Sequence, residues 1–198
     1  MTKATHSGAK TGRPSPRRDH LVQVATGLFC KEGFHATGID RVLAEAGVAK
    51  MTLYKHFASK DELIAACLAD VHVGVEAAIE AVLADSGPGP ADRALAIVVW
   101  HAEQAASRGF DGCPFHHARA EYADPDHPAH RAACEHKDWV RGQLAALLGE
   151  AGHPDAENGA FELELVVEGA LAAGALRASP DITSTALRLA RRVLGSAG

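Results

Sequence analysis

The sequence predicts an all-α protein of about nine helices, three short ones at the N-terminal end and a larger helical body after them. Three observations carry that expectation. Apolar residues recur at helical spacing along most of the chain, Gly, Pro and Ser/Thr punctuation cuts the pattern into helix-length pieces, and no stretch alternates with the period of two that a strand requires. With 198 residues and 47% apolar composition, the chain is long enough to bury a sizeable core.

The first helix is expected from about Arg17 to Lys31, because Leu21, Ala25, Leu28 and Phe29 form one apolar stripe. Gly33 ends it. Thr37-Gly38 is expected to supply the N-cap of a second, short helix, whose inner face is Ile39, Val42, Leu43 and Ala46. Gly47 stops that helix, and a third of barely two turns starts near Lys50. Leu53 and Phe57 then face the first two helices, Met51 and Lys55 point away, and Thr52 and Tyr54 lie on the flanks. A helix pair joined by a tight turn, with a short polar and basic face on its second member, is the helix-turn-helix geometry that enters a major groove.

From Ser59 the chain reads as one long helix. Ser59 and Glu62 make a capping box, and Leu63, Ala66, Cys67, Val71, Val75 and Ile79 carry the pattern to about Ala84. The run Ser86–Pro90 breaks it. A fifth helix spans about Ala91 to Ser107; its apolar run Leu95–Trp100 is far shorter than the ~20 residues of a membrane span, so no membrane partner is expected. Residues 113–122 make a short sixth helix, and a seventh runs from about His130 to Ala151. The eighth, opened by residues 152–155, lasts to about Ala178, and Ser179-Pro180 starts the ninth, which ends near Leu194.

Charge divides the chain. Residues 1–60 hold ten Lys or Arg against four acids, a net of +6, while the whole chain carries −5, so residues 61–198 carry −11. A phosphate backbone attracts the first part and repels the second. The sequence therefore has one end suited to DNA and another suited to something else.

The apolar-Ala-Leu-Phe stripe of the first helix, Gly33-Phe34, Thr37, Ala46-Gly47-Val48, Leu53-Tyr54-x-His56-Phe57 and Lys60-Asp61-x-Leu63 resemble, in fixed order, the N-terminal domain of the TetR/AcrR family of bacterial one-component transcriptional regulators. The resemblance covers about a quarter of the chain, and it implies an order of domains: a helix-turn-helix DNA-binding domain at 17–60 and an effector-binding and dimerisation domain at 61–198. It implies that Lys50, Met51, Thr52, Tyr54, Lys55 and His56 line the DNA face and that Lys60 holds a phosphate at the start of the fourth helix. Phosphate contacts fix register, and Thr52, Met51 and Lys55 are better placed for base edges. Ala49 and Gly38 depart from the family pattern by lacking hydroxyls, and Met51 puts an apolar side chain where the family often has Gly or Ala. The first sixteen residues, polar and basic, read as a disordered arm and not as a secretory signal; its Lys3, Lys10 and Arg13 either settle on DNA phosphates or in a minor groove, or the arm is an idle tail.

For the rest of the chain the resemblance implies a homodimer on a palindromic double-stranded operator, joined through the last two helices. The candidate interface residues are Leu163, Val167, Leu171, Leu187 and Leu194. Aromatic and His residues of the middle helices, namely Trp100, Phe110, Phe115, His116, His117, Tyr122 and Trp139, are candidates for a pocket that takes a small-molecule effector of unknown identity. They equally suit an ordinary core.

His116, His117, His127, His130 and His136, with Cys113, Cys134 and nearby acids, crowd within 24 residues, but the cluster lacks a metal-ligand spacing, and no metal or other cofactor is expected. Four cysteines read as reduced thiols in a cytoplasmic protein. Cys113, ahead of Pro114 at a helix start, is the one with a possible redox or electrophile-sensing role, against an inert one. No hydrolase, P-loop, dinucleotide or kinase signature is present, so no enzyme is expected. The expected function is a TetR-type regulator, a repressor released by an effector; the alternatives are a DNA-binding dimer without a ligand and a thiol-based sensor.

Overall fold

A computed structural model describes residues 15–195. Of the expected arm, Ser15 and Pro16 are the N-cap and first residue of the first helix, and residues 1–14, with Lys3, Lys10 and Arg13, lie outside the described residues. Among these, every regular element is a helix: α1 (Pro16–Glu32), α2 (Ile39–Ala46), α3 (Lys50–His56), α4 (Lys60–Asp85), α5 (Pro90–Ala106), α6 (Pro114–Glu121), α7 (Pro128–Glu150), α8 (Ala156–Leu176) and α9 (Asp181–Gly195). The boundaries lie close to those expected, since Pro and Gly set them locally. Pro occupies the first turn of α1, α5, α6 and α7, where its missing N–H removes no helical bond.

Helices α1–α3 form a head around one apolar centre. Leu21, Ala25 and Phe29 of α1, Val42 of α2 and Leu53 of α3 are fully buried, and Phe57 closes the base. Gly47 adopts φ +64, a left-handed conformation that lets α2 stop and α3 turn away at a tight angle. Thr37 is not the expected cap. It is fully buried, and its hydroxyl donates to the Gly33 carbonyl at 2.7 Å, while Gly38 takes the N-cap position with no side-chain bond. The apolar surroundings explain the difference, because a buried hydroxyl takes the nearest carbonyl.

Ser59 caps α4 as expected, its Oγ accepting the Glu62 N–H at 3.1 Å, and the Glu62 carboxylate accepts the Ala58 N–H at 2.6 Å. Through Leu63, Ile64, Cys67 and Leu68, α4 packs on α1; farther along it packs on α7 and α5. One helix thus touches both head and body. In the body, α8 lies against α5 and α7, and α9 against α5 and α8. The small residues of α8 permit this closeness: a Cβ on Gly174 would stand 2.2 Å from the Ala105 carbonyl oxygen of α5.

The inward face of α8 differs from the expected interface. Leu163, Val167 and Leu171 point into the protomer and are buried. They pack there because α5 and α7 cover that side. The outward stripe is Phe161, Leu165, Ala172 and Leu176, of which Leu176 is 89% exposed. Leu187 and Leu194 on α9 are half-buried, and Leu189 is exposed.

Candidate nucleic-acid interface and body cavity

The surface of the head follows from how α3 sits on its base. Leu53 and Phe57 anchor one side, so the opposite side projects Met51, which is 85% exposed, together with Tyr54 and Lys55. Thr52 and His56 lie half-buried on the flanks. The N-terminal end of α1 rises beside this helix, with Arg18 stacked over the Phe57 ring at 5.2 Å. Between the two runs a concave surface of about 850 Å³, lined by Arg17, Lys50, Met51, Thr52, Tyr54 and Lys55 together with Ser15 and His56. Three of those side chains are cationic and none is acidic. Lys50 reaches Asp40 at 3.7 Å from the groove's rim. Lys60 stands apart, its ammonium donating to the His35 carbonyl at 3.4 Å.

Head and body meet at the turn between α1 and α2. Glu121, the last residue of α6, accepts the backbone N–H groups of Phe34 at 2.9 Å and His35 at 2.6 Å, and its second oxygen also meets the His35 ring at 3.0 Å. Burial alone pushes this carboxyl up, but the two N–H groups and the His35 ring together outweigh it and hold Glu121 below the usual carboxylate range. Gly33 adopts φ +88 here, and a Cβ on it would lie 3.3 Å from the Glu121 carboxylate. Tyr122 packs edge-on to Phe34 and stacks on His127 at 4.0 Å between ring centres, and His127 lies 3.6 Å from Asp61 at the start of α4. The Tyr122 hydroxyl is pushed up to about 12, first by burial and then by Asp61 and Glu121.

That places Tyr122 at the junction of head and body. His117 stands beside Gly112, and Trp139 packs on His72 at 5.1 Å. The remaining pocket candidates divide. Trp100, Phe110 and Phe115 line a cavity of about 180 Å³ among α4, α5, α6, α7 and α8, while His116 and Phe115 border a second, charged cleft of about 310 Å³ beside α7 and α8. In that cleft Glu168 accepts from Lys137 at 2.7 Å and is in close contact with His116; burial pushes its carboxyl up, but these partners bring it down to about 2. Arg141 pairs with the buried Glu164.

Several lining residues of the inner cavity, Val71, Val75, His101, Gln104, His136 and Leu171, come from turns far apart in sequence, so no local pattern marks them as neighbours. The His136 ring stacks on Phe115 at 3.7 Å with 7° between planes, and its Nδ1 lies 2.9 Å from His72 Nδ1. His101 Nδ1 lies 2.8 Å from the Ile97 carbonyl. Burial, the leading cause in both, brings His101 down to about 4 and His136 down to about 3. Cys113 lines the same cavity, buried at the N-cap of α6 with no side-chain capping bond. The crowded histidines are dispersed: His116 on Glu168, His130 on the Tyr122 carbonyl at 3.0 Å, His136 on His72.

The sequence pattern described as bacterial regulatory proteins, tetR family, matches residues 21–67, which are the head and the first turns of α4. Curated relatives match over the same end. The transcriptional activator FasR of Mycolicibacterium smegmatis is 41% identical over 69 residues, which is 33% of this chain and 32% of that protein. The transcriptional repressor KstR2 of the same organism is 36% identical over 58 residues, or 29% of this chain and 28% of that protein. The chain thus spans about a third or less of the length of either. Its body finds its likeness in a solved structure. SCO4454, a TetR-family transcriptional regulator from Streptomyces coelicolor, is 37% identical and superposes with a TM-score of 0.86 over 91% of this chain and 95% of that one. A match of that identity running through both the basic head and the helical body makes this chain a member of the TetR family of transcriptional regulators.

Proposed function

We propose that the protein is a cytoplasmic homodimer that binds a palindromic operator through α3 and, as a repressor, is released when a small molecule enters the body. The observation that carries the DNA part is the groove between α1 and α3, where Arg17, Lys50 and Lys55 surround Met51, Thr52 and Tyr54 without an acid in the lining. Cations at its edges suit phosphates, and the central side chains suit base edges. Lys60, at the N-terminus of α4, would join the phosphate contacts once it leaves the His35 carbonyl.

Dimerisation is supported by the outward side of α8 and α9. An apolar groove of about 440 Å³ runs between them, with Leu165, Val166, Ile182 and Leu189 in its walls, and the Leu165 side chain is 55% exposed. A second copy related by a two-fold axis would cover it and set two copies of α3 in successive major grooves. In this reading Leu163, Val167 and Leu171 hold α8 in place from behind.

Release requires that effector and DNA favour different shapes of the body, and each then weakens the other by the same factor. Two connections could carry the change: α4, continuous from head to body, and the Glu121 carboxylate of α6 on the Phe34–His35 turn. The test is a set of operator titrations over a range of salt. Lys60→Ala should weaken operator and random DNA alike and lower the salt slope by about 1. Thr52→Ala and Lys55→Ala should instead cost about 1–3 kcal/mol on the operator and change which sequence is preferred. Equal losses on operator and random DNA from the last two variants would overturn the base-reading role of α3.

A further inference from the structure

Resting on the reading of the body as effector-binding, we infer that the inner cavity takes a compact, uncharged aromatic compound bearing a hydroxyl group, which donates its proton to the bare Nε2 of His101 or of His136. A backbone carbonyl only accepts, so the 2.8 Å contact of His101 with the Ile97 oxygen puts the His101 proton on Nδ1. Its Nε2, on a ring that lines the cavity, is then a lone-pair acceptor.

The second ring is set by a relay. Glu76 lies 3.3 Å from His72 Nε2, and a carboxylate only accepts, so a neutral His72 keeps its proton on that nitrogen. The His72 Nδ1 is left to accept, and the 2.9 Å contact makes His136 Nδ1 the donor. His136 Nε2 is therefore bare as well. Burial keeps both rings neutral, which fits this arrangement.

Charge and size narrow the ligand further. The ammonium of Lys137, the cation in the lining, is occupied by Glu168 at 2.7 Å, so a carboxylate ligand would find no open counter-charge there. A cationic ligand would meet the lone pairs but also Lys137. A neutral hydroxyl satisfies one of the two acceptors without either penalty. Trp100, Phe110 and Phe115 offer flat apolar walls, and a volume of about 180 Å³ lies below the ~300–1,000 Å³ typical of drug-sized pockets.

The experiment uses the full chain and three probes of nearly one shape: phenol, anisole, which keeps the ring but lacks the donor, and benzoate, which adds a charge. Calorimetric titration should give phenol an affinity about tenfold above the other two, the size expected when a buried acceptor is satisfied and not stranded. Of His101→Phe and His136→Phe, which keep a ring but remove an acceptor, the one that removes the acceptor of the phenol proton should shrink the phenol-to-anisole ratio severalfold. Phenol failing to bind, equal affinity for all three probes, a preference for benzoate, or an undiminished ratio in both variants overturns the inference. The ratio in the unmodified chain decides the matter even where a variant fails to fold. Operator release is read separately in the same samples. Phenol bound without release would sink the effector reading and leave the ligand class standing, whereas release by anisole as readily as by phenol would do the reverse.

Discussion

The outward face of α3 and the inner face of α7 carry the same kinds of side chain in opposite circumstances. On α3, Lys50, Lys55 and His56 border an open groove, and Lys55 makes no ion pair among the described residues. On α7, Lys137 is held by Glu168, Arg141 by Glu164 and His136 by His72 and Phe115. A cation without an internal partner keeps its charge for an external one, and a cation with a partner holds the fold together. Composition cannot separate the two cases. Their neighbours in space do.

The largest expected effect breaks the comparison with acid. His101 and His136 stand at about 4 and about 3 in the folded protein, below the ordinary 6.5, so folding opposes their protonation. The stability that follows is present in full above pH 6.5 and is lost as pH falls toward the folded values. The loss per histidine approaches about 1.4 kcal/mol per pH unit below pH 6.5, or about 2 kcal/mol each between pH 6.5 and 4.5. Urea unfolding at the two pH values measures it. His136→Phe should remove about half of the difference, and an unchanged pH dependence in that variant would show that the ring is not buried as neutral.

A matched pair of lysines sharpens the comparison with a smaller effect. Lys137→Met leaves Glu168, a half-buried carboxylate, with His116 as its remaining partner among the described residues, and should cost about 1–2 kcal/mol in urea unfolding at pH 7. Lys55→Met removes a charge that no internal group uses, and stability should stay within about 0.5 kcal/mol. Operator affinity should respond in the opposite order. If both variants lose equal stability, the distinction between the two faces fails.

How far the sequence revealed these regions follows from the range of the interactions involved. Helix boundaries are local: Pro90, Pro114 and Pro128 open helices and Gly33 and Gly47 close them, so each lies within a residue or two of where it was expected. The α3 surface is local too, because seven consecutive residues and one anchoring side determine which side chains project. Thr37 was misread because its burial depends on α1 and α2 closing over it. The inner cavity was only partly legible. Trp100, Phe110 and Phe115 were nameable as aromatics, but His101 and His136 become a pair only when α5 and α7 meet, and Tyr122 and Trp139 could be placed elsewhere only by the packing around α4. On α8, apolar residues occur on every side, so the sequence could not say that Leu163, Val167 and Leu171 face inward while Leu165 and Leu176 face out.

The smallest expected effect concerns the place where the two regions join. Glu121 is the body's carboxylate on the head's backbone, accepting from Phe34 and His35 at 2.9 and 2.6 Å. Glu121→Gln keeps the shape and one acceptor, but its amide nitrogen would face one of those N–H groups donor to donor. Water can reach the site and replace part of what is lost, so the change should be about 1 kcal/mol, confined to the turn. Amide exchange reads this directly: Phe34 and His35 should exchange about fivefold faster in the variant, with Leu144 in the α7 core unchanged. Lowering the pH should mimic the variant, because the Glu121 carboxyl lies below its ordinary value when folded, and the stability it contributes disappears as pH falls through that lower value. Undiminished protection at Phe34 and His35 would mean that the turn is held by Phe34 packing on Phe29 and Tyr122 alone, and that α4 is the remaining connection by which the body can move the head.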